Sequence, residues 1–320
     1  MRSIDPSRTT TLQKSYARRL RREYNQLGTD IERWFADPNN WIREPYELDD
    51  LVTNAPGPSR WSFAPVAQVL GAFTKWITKR VGGGQIEVTS DGFISEAFGK
   101  GVDQATSAAA VPVSAAVSGA FRTGTTIERL KVLRATARNA INGVGEKIRS
   151  AVVDRLSLGL IRGESPRQVA RDINKSTRKI GKVAATRIAR TEVIRAHAEG
   201  ALDRMEAMGV THVGANVEFL ATKMPDGSFE KRVCPKCRAL DGVVFPIERA
   251  HGIIPVHPNC RCVWLPRFVE VDKTKIRAAV TKAVKSSQPK KKKSQDVPAT
   301  AAQKSKDDWP GPAIKDYLKS

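Results

Sequence analysis

Apolar residues recur at helical spacing over much of this chain. From Thr11 onward, Leu12, Tyr16, Leu20, Tyr24, Leu27, Ile31 and Trp34 follow at intervals of three and four, which gathers them on one face of a helix. Asp37-Pro38-Asn39-Asn40 stops that helix, because proline and turn-forming residues do not continue the hydrogen-bond ladder. Residues 41–60 read as loop, rich in Pro and Asp, with Trp41 and Tyr46 as anchors. Val66, Val69, Leu70, Phe73, Trp76 and Ile77 predict a second helix from Phe63 to Arg80. Gly82-Gly83-Gly84 then breaks the pattern at a candidate hinge; with no Gly-Lys-Ser/Thr behind it, it is not a phosphate-binding loop. Residues 85–124 read as a mixed connecting region, and Ala105 to Ala120 is a low-complexity run of small residues interrupted at Pro112.

From Thr125 to Gly209 the helical period returns. Ile127, Leu130 and Leu133 open one segment, and Ile141, Ile148, Val152, Leu156 and Leu160 continue in another that ends at Gly163. Ser165-Pro166-Arg167-Gln168 starts a new helix, with Ser165 as cap, Pro166 in the first position and Gln168 closing a capping box. Val169 and Ile173 face inward from it. A longer helix is predicted from Val183 to Met208 on Ala184, Ile188, Ala198, Leu202 and Met205. After Gly209 the period becomes two. Val217, Phe219 and Ala221 alternate with Glu218, Leu220 and Thr222, Pro225-Asp226-Gly227 is a turn, and Phe229 to Val233 returns as a second strand. Val243 to Phe245 and Cys262 to Trp264 add short strands. The expected class is α+β, mostly α-helical. An N-terminal helical region (1–81) and the connecting region precede a domain at 125–268, in which helices 125–209 lead into a small β module at 210–268. Residues 269–320, with no apolar face of useful length after Val284, read as a disordered lysine-rich tail.

Charge changes the picture. Across 320 residues the formal net charge is +21, which calls for a polyanionic partner, nucleic acid before an anionic membrane. Double-stranded DNA contacts are placed on the run Lys290, Lys291, Lys292 and Lys293 and on Arg18, Arg19, Arg21 and Arg22 of the first helix; a solvated helix flank explains that second group equally well. Aromatic residues are only 6%, too few for a stacking binder of single strands. No run of 18 apolar residues offers a membrane anchor, and Met1 to Arg22 has no apolar signal core.

All four cysteines lie within 29 residues: Cys234-Pro-Lys-Cys237, then Leu240-Asp241-Gly242, then His257-Pro-Asn-Cys260-Arg-Cys262. Two soft donors in C-x2-C spacing chelate one ion from a single turn, and a second knuckle offers three more donors. The spacing points to one structural zinc that staples a sheet too small to hold itself together by apolar burial. Cys234, Cys237 and Cys260 are the firmer ligands. The fourth is Cys262 or, since Cys260-x-Cys262 is tight for one ion, His257. Disulfides are the alternative, disfavoured in a reducing compartment. Four protein ligands leave no open catalytic position.

Catalytic signatures are thin. There is no H-E-x-x-H and no G-x-S-x-G. His197 lies near Glu192 and Arg195 and is read as a satisfied histidine rather than a base. Arg187, Arg190, Thr191 and Glu192 form a compact polar cluster on a helix, assigned to a polar network within the fold or at a protein contact.

These motifs, in this order, resemble the phage Mu F-like head morphogenesis family: Arg187-Ile-Ala-Arg190-Thr191-Glu192, the C-x2-C, Leu240-Asp241-Gly242 and His257-Pro-Asn-Cys260-Arg-Cys262. The resemblance covers about residues 125–265. It implies a minor head protein of a tailed phage, structural rather than enzymatic, located in the virion at the head interior or portal vertex after assembly in the host cytoplasm. It also implies association with the portal and packaged DNA, with the major capsid or scaffolding protein as further partners and roles in packaging or ejection. Without the resemblance, charge and cysteines alone fit a zinc-containing nucleic-acid-binding protein; a phage-delivered toxin enzyme lacks its catalytic cluster.

Overall fold

The computed structural model describes residues 6–37, 63–82, 85–108, 124–162, 164, 166–208, 216–267 and 272–286. Expectations for the loop at 41–60, the middle of the hinge at 83–84, the run 109–120, the Ser165 cap and Lys290–Lys293 lie outside them. The chain is mostly helical with one small antiparallel sheet, as the periodicity predicts. Its elements are α1 (Thr10–Ala36), α2 (Phe63–Gly82), α3 (Gln85–Ala108), α4 (Gly124–Ile161), α5 (Pro166–Met208), β1 (Asn216–Leu220), α6 (Pro235–Leu240), β2 (Val244–Pro246), α7 (Ile247–Ala250), β3 (Val263–Arg267) and α8 (Lys273–Lys285). They form two compact units. One draws on Ser15–Asp91 and Thr136–Thr186, the other on Met1–Lys14, Gly92–Ala135 and Arg187–Ser320, each restricted to its described residues.

In the first unit the predicted face of α1 is the buried one: Tyr16, Leu20, Tyr24 and Ile31 are fully enclosed. Trp34 and Phe35 meet Phe73 of α2, with ring centroids 5.3 and 5.2 Å apart. Ile141, Ile148, Val152 and Leu156 line α4, and Val169 and Ile173 line α5. Two expected helix breaks are absent: α4 runs uninterrupted for 38 residues and α5 for 43. The stretch before Val183 conceals continuity because its inward positions are Thr177 and Gly181, both buried but neither apolar. A Cβ on Gly181 would stand 2.4 Å from Cβ of Tyr24, so that position needs its bare backbone.

Residues 85–108 are a helix rather than a mixed segment, and from Gly92 onward it belongs to the second unit. Ile94, Ala97, Phe98, Val102 and Ala105 are its buried face; Gly92, Gly99 and Gly101 dilute the apolar signal. A Cβ on Gly101 would sit 1.9 Å from the carbonyl oxygen of His197, which explains the choice of glycine where α3 meets α5. The core continues through Ile194, Ala198, Leu202 and Met205 of α5 into Phe219, Phe245 and Trp264 of the sheet.

The sheet order is β2-β1-β3, both pairs antiparallel, with Val217 opposite Phe245 and Phe219 opposite Trp264. The expected hairpin partner at Phe229–Val233 is not a strand. The turn forms, but the only pairing there is an isolated bridge between Lys223 and Phe229. The chain then turns, because the Val233 N–H donates to the Glu230 carbonyl at 2.9 Å and Glu230 itself is buried. The tail expected from residue 269 begins with a helix instead. Asp272 caps α8 by accepting from the Thr274 and Lys275 N–H groups. Ile276, Ala279, Val280 and Ala283 recur at i, i+3, i+4 and i+7 and are buried in the same core.

Candidate metal centre

α6 is the local reason that the first two thiols meet. Cys234 caps it in an extended conformation, its Sγ accepting from the Cys237 N–H at 3.4 Å, and Pro235 occupies the first helical position. Leu240-Asp241-Gly242 stitches this knuckle to β1. Leu240 is fully buried. An Asp241 carboxylate oxygen accepts from the Ala221 N–H at 2.9 Å, and the other pairs with Lys223 at 2.8 Å. Gly242, at φ +78°, donates to the Phe219 carbonyl at 2.8 Å; that left-handed turn favours glycine.

The second knuckle is held from α5. Asn259 adopts φ +65° and its N–H donates to Thr191 Oγ1 at 3.1 Å. The Thr191 hydroxyl in turn donates to the Arg187 carbonyl at 2.7 Å. Thr222 Oγ1 donates to the Arg261 carbonyl at 3.1 Å, fixing the residue between Cys260 and Cys262.

The two knuckles converge. Cys234, Cys237 and His257 form one group of donor atoms, and Cys237, Cys260 and Cys262 another, each within 4.8 Å of one another. Cys237 belongs to both. Its sulfur lies 4.0 Å from that of Cys260. Sulfurs about 2.3 Å from a tetrahedral zinc stand about 3.8 Å apart, so this spacing suits one ion. Cys237, Cys260 and Cys262 are buried, while His257 is half-buried, its Nδ1 2.8 Å from the Pro258 carbonyl oxygen. The hydrogen bond from Cys237, against the opposing effect of burial and with help from His257, lowers the Cys234 thiol to about 4. Burial opposes ionisation of Cys260, yet contacts with Cys237 and Cys262 draw it well down. Cys237 is pushed up, first by its bond to Cys234, and Cys262 is pushed up by burial. Two sulfurs are thus already biased to the thiolate form that binds metals. These residues can hold a metal ion.

A cavity of about 280 Å³ opens beside the cluster, with Arg190, Arg232 and Arg261 in its wall along with His257 and Asn259. Glu230, buried to 6% exposure, takes both Arg232 and Arg261. The sequence reading missed Glu230, whose arginine partners are only identifiable once the chain has turned. It also missed His251, which sits between two carboxylates of α5. Its Nδ1 is 2.6 Å from Glu199 and its Nε2 2.8 Å from Glu206, while Arg129 of α4 pairs with Glu206 and Asp203 at 2.8 Å each.

The remaining candidates divide. Thr191 is engaged by the second knuckle. Glu192 is buried and accepts from Arg195 Nε at 3.0 Å; Arg187 and Arg190 are half-buried. On α1, Arg18 and Arg22 are exposed, Arg19 pairs with Glu23 at 3.1 Å, and Arg21 donates to Thr186 at 2.7 Å. His197 is fully enclosed.

Compared with known families, residues 150–265 match the model described as Phage Mu protein F like protein. This segment is similar to the Mu F-like family. The match ends three residues past Cys262 and begins within α4, so it takes in both knuckles, the Arg187–Glu192 cluster and all of the sheet but the last two residues of β3. No curated protein and no solved structure matches the chain. That family is one of structural phage head proteins. Among the described residues no helix is long and apolar enough to cross a membrane.

Proposed function

We propose that this chain is a minor head protein of a tailed phage whose Mu F-like domain is closed by a structural zinc ion. The observation that carries the reading is coincidence: the five clustered donors all fall inside the family match. Cys234, Cys237, Cys260 and Cys262 hold the ion, and His257 hydrogen-bonds the Cys234 sulfur from outside. Two features favour Cys262 over His257: its deeper burial and its place with Cys237 and Cys260. A bound zinc cross-links the two knuckles and contributes its binding energy to folding. Four thiolates around zinc carry a net charge of −2, and Arg190, Arg232 and Arg261 in the neighbouring cavity wall offset it.

The portal is the proposed docking partner and packaged double-stranded DNA the proposed polyanion, with Lys290–Lys293 and the α1 arginines as contacts. The excess of +21 supports the second partner. In this reading the protein acts in assembly and is not an enzyme. Mass spectrometry of purified virions tests it, with zinc measured on the recombinant chain. A low, fixed copy number in particles and about one zinc per chain are expected. Absence from particles overturns the virion role, and folded, reduced protein without zinc overturns the metal. Cys262→Ser is expected to release the ion, and His257→Ala to retain it.

A further inference from the structure

The polar stretch that joins the two halves of α5 carries a charge pattern that the metal centre does not use. Between Pro166 and Thr186 there are six Lys or Arg and a single acid, Asp172. Lys175, Arg178, Lys179 and Lys182 stand at i, i+3, i+4 and i+7, which is one face of a helix, and all four are exposed. α1 lies beside them in the same unit. Arg178 Nη2 donates to Thr29 Oγ1 at 3.2 Å, and Arg21 Nη2 donates to Thr186 Oγ1 at 2.7 Å. Residue numbers rise along one helix as they fall along the other, so the two are antiparallel. Gly181 against Tyr24, with no room for a Cβ, shows how closely they approach. Arg18 and Arg22 share the face of α1 that carries Thr29, and both are exposed.

The acids nearby are already held. Asp172 is bonded by Arg155, Glu32 by Asn174, and Glu23 by Arg19. By contrast, Arg18, Arg22, Lys179 and Lys182 have no carboxylate within salt-bridge distance among the described residues. From Lys175 to Lys182 the helix rises about 10 Å. Ten ångströms of duplex carries about six phosphates, since one charge falls every ~1.7 Å of axis. Two packed helices lie about 8–10 Å apart. The ridge therefore offers six cations over an area where a duplex offers about as many anions.

We propose that this α1–α5 ridge is a phosphate-binding surface for double-stranded DNA, engaging the backbone without reading sequence. The proposal rests on the DNA-binding reading above and gives it a place in the fold apart from the lysine run. A duplex fits better than an acidic protein surface because the cations form a bare, linear array. Beside these cations Val183 is a lone exposed apolar side chain among the described residues of the ridge, 64% exposed, whereas protein interfaces centre on buried clusters of aromatic or aliphatic residues.

The test uses the full chain and a random-sequence duplex, with affinity followed against salt. Each phosphate contact contributes about −0.9 to the slope of log K against log salt. Lys175→Gln, Lys179→Gln and Lys182→Gln together are expected to make that slope shallower by about 2.7 and weaken binding about tenfold or more at 0.1 M salt. The helical circular dichroism and metal content should not change. Arg18→Gln with Arg22→Gln approaches the ridge from the other helix, and serves if the triple variant folds poorly. Neutralising Lys290–Lys293 separates the contribution of the tail. If the parent chain binds duplex and both ridge variants bind with the parent slope, the ridge proposal falls and DNA binding stands. If the parent chain binds no duplex at low salt, the DNA reading falls with it. If the ridge variants lose polyglutamate binding but keep duplex binding, the surface serves an acidic protein and the proposal is overturned.

Discussion

Thr191 is one hydroxyl with two tasks, accepting from the Asn259 N–H and donating to the Arg187 carbonyl. Its replacement by alanine leaves a part-buried N–H of the second knuckle without that acceptor, so Thr191→Ala is expected to destabilise the metal module by about 1–2 kcal/mol. Serine should restore most of the loss; an alanine variant that melts like the parent in thermal denaturation would refute the role. His251 makes a prediction in pH. Burial opposes its charge, but the bonds to Glu199 and Glu206 outweigh burial and raise it to about 9 from 6.5. A raised folded-state value means that the imidazolium's contribution is complete below about pH 6.5 and fades as pH rises through about 9. His251→Ala should therefore cost about 2 kcal/mol near pH 6 and much less near pH 10, read from denaturant midpoints at each pH. An equal loss at both pH values would mean that packing, not charge, holds His251. Neither residue could be assigned this role from sequence. The cysteines announce themselves by local spacing, whereas the partner of Thr191 is 68 positions away and that of His251 is 52.

At the scale of elements, regular patterns were legible and diluted ones were not. The face of α1 and the alternation of β1 are visible in the chain because each is written in large apolar residues. α3 was hidden by its glycines, and the continuity of α5 by Thr177 and Gly181, since small and polar residues fill tight helix contacts without raising hydrophobicity. α8 was hidden by its five Lys or Arg, counted from Lys273 to Lys285 with Arg277 among them, although only four inward positions decide its packing. Val280 is fully buried there, so Val280→Ala should cost about 2 kcal/mol. Deleting α8 outright is expected to lower the stability of the metal module more than that single change, since it strips four buried positions. Limited proteolysis and thermal melting of the two variants would decide the point. The proposed zinc supplies the other staple. Cys237 belongs to both donor groups, so Cys237→Ser should release zinc and unfold residues 216–267 while most helical signal persists; a folded module with bound zinc would disprove it.

For the whole molecule, the polar cluster on α5 bears on the proposed docking to the portal. Thr191 and Glu192 are bonded within the fold, and portal docking is proposed for the half-buried Arg187 and Arg190. Arg187→Ala with Arg190→Ala is expected to keep zinc and solubility but lower the copy number in particles. Normal incorporation would withdraw these residues from portal docking. The capped, buried α8 has one more consequence. A covalent chain reaches at most ~3.6 Å per residue, and Lys290 to Lys293 follow Ser286 by four to seven residues. Those four charges are therefore leashed within about 25 Å of the end of α8. On the zinc reading proposed above, wherever that module is moored the lysines are delivered to the same neighbourhood, and a chain stripped of the metal would lose their address as well.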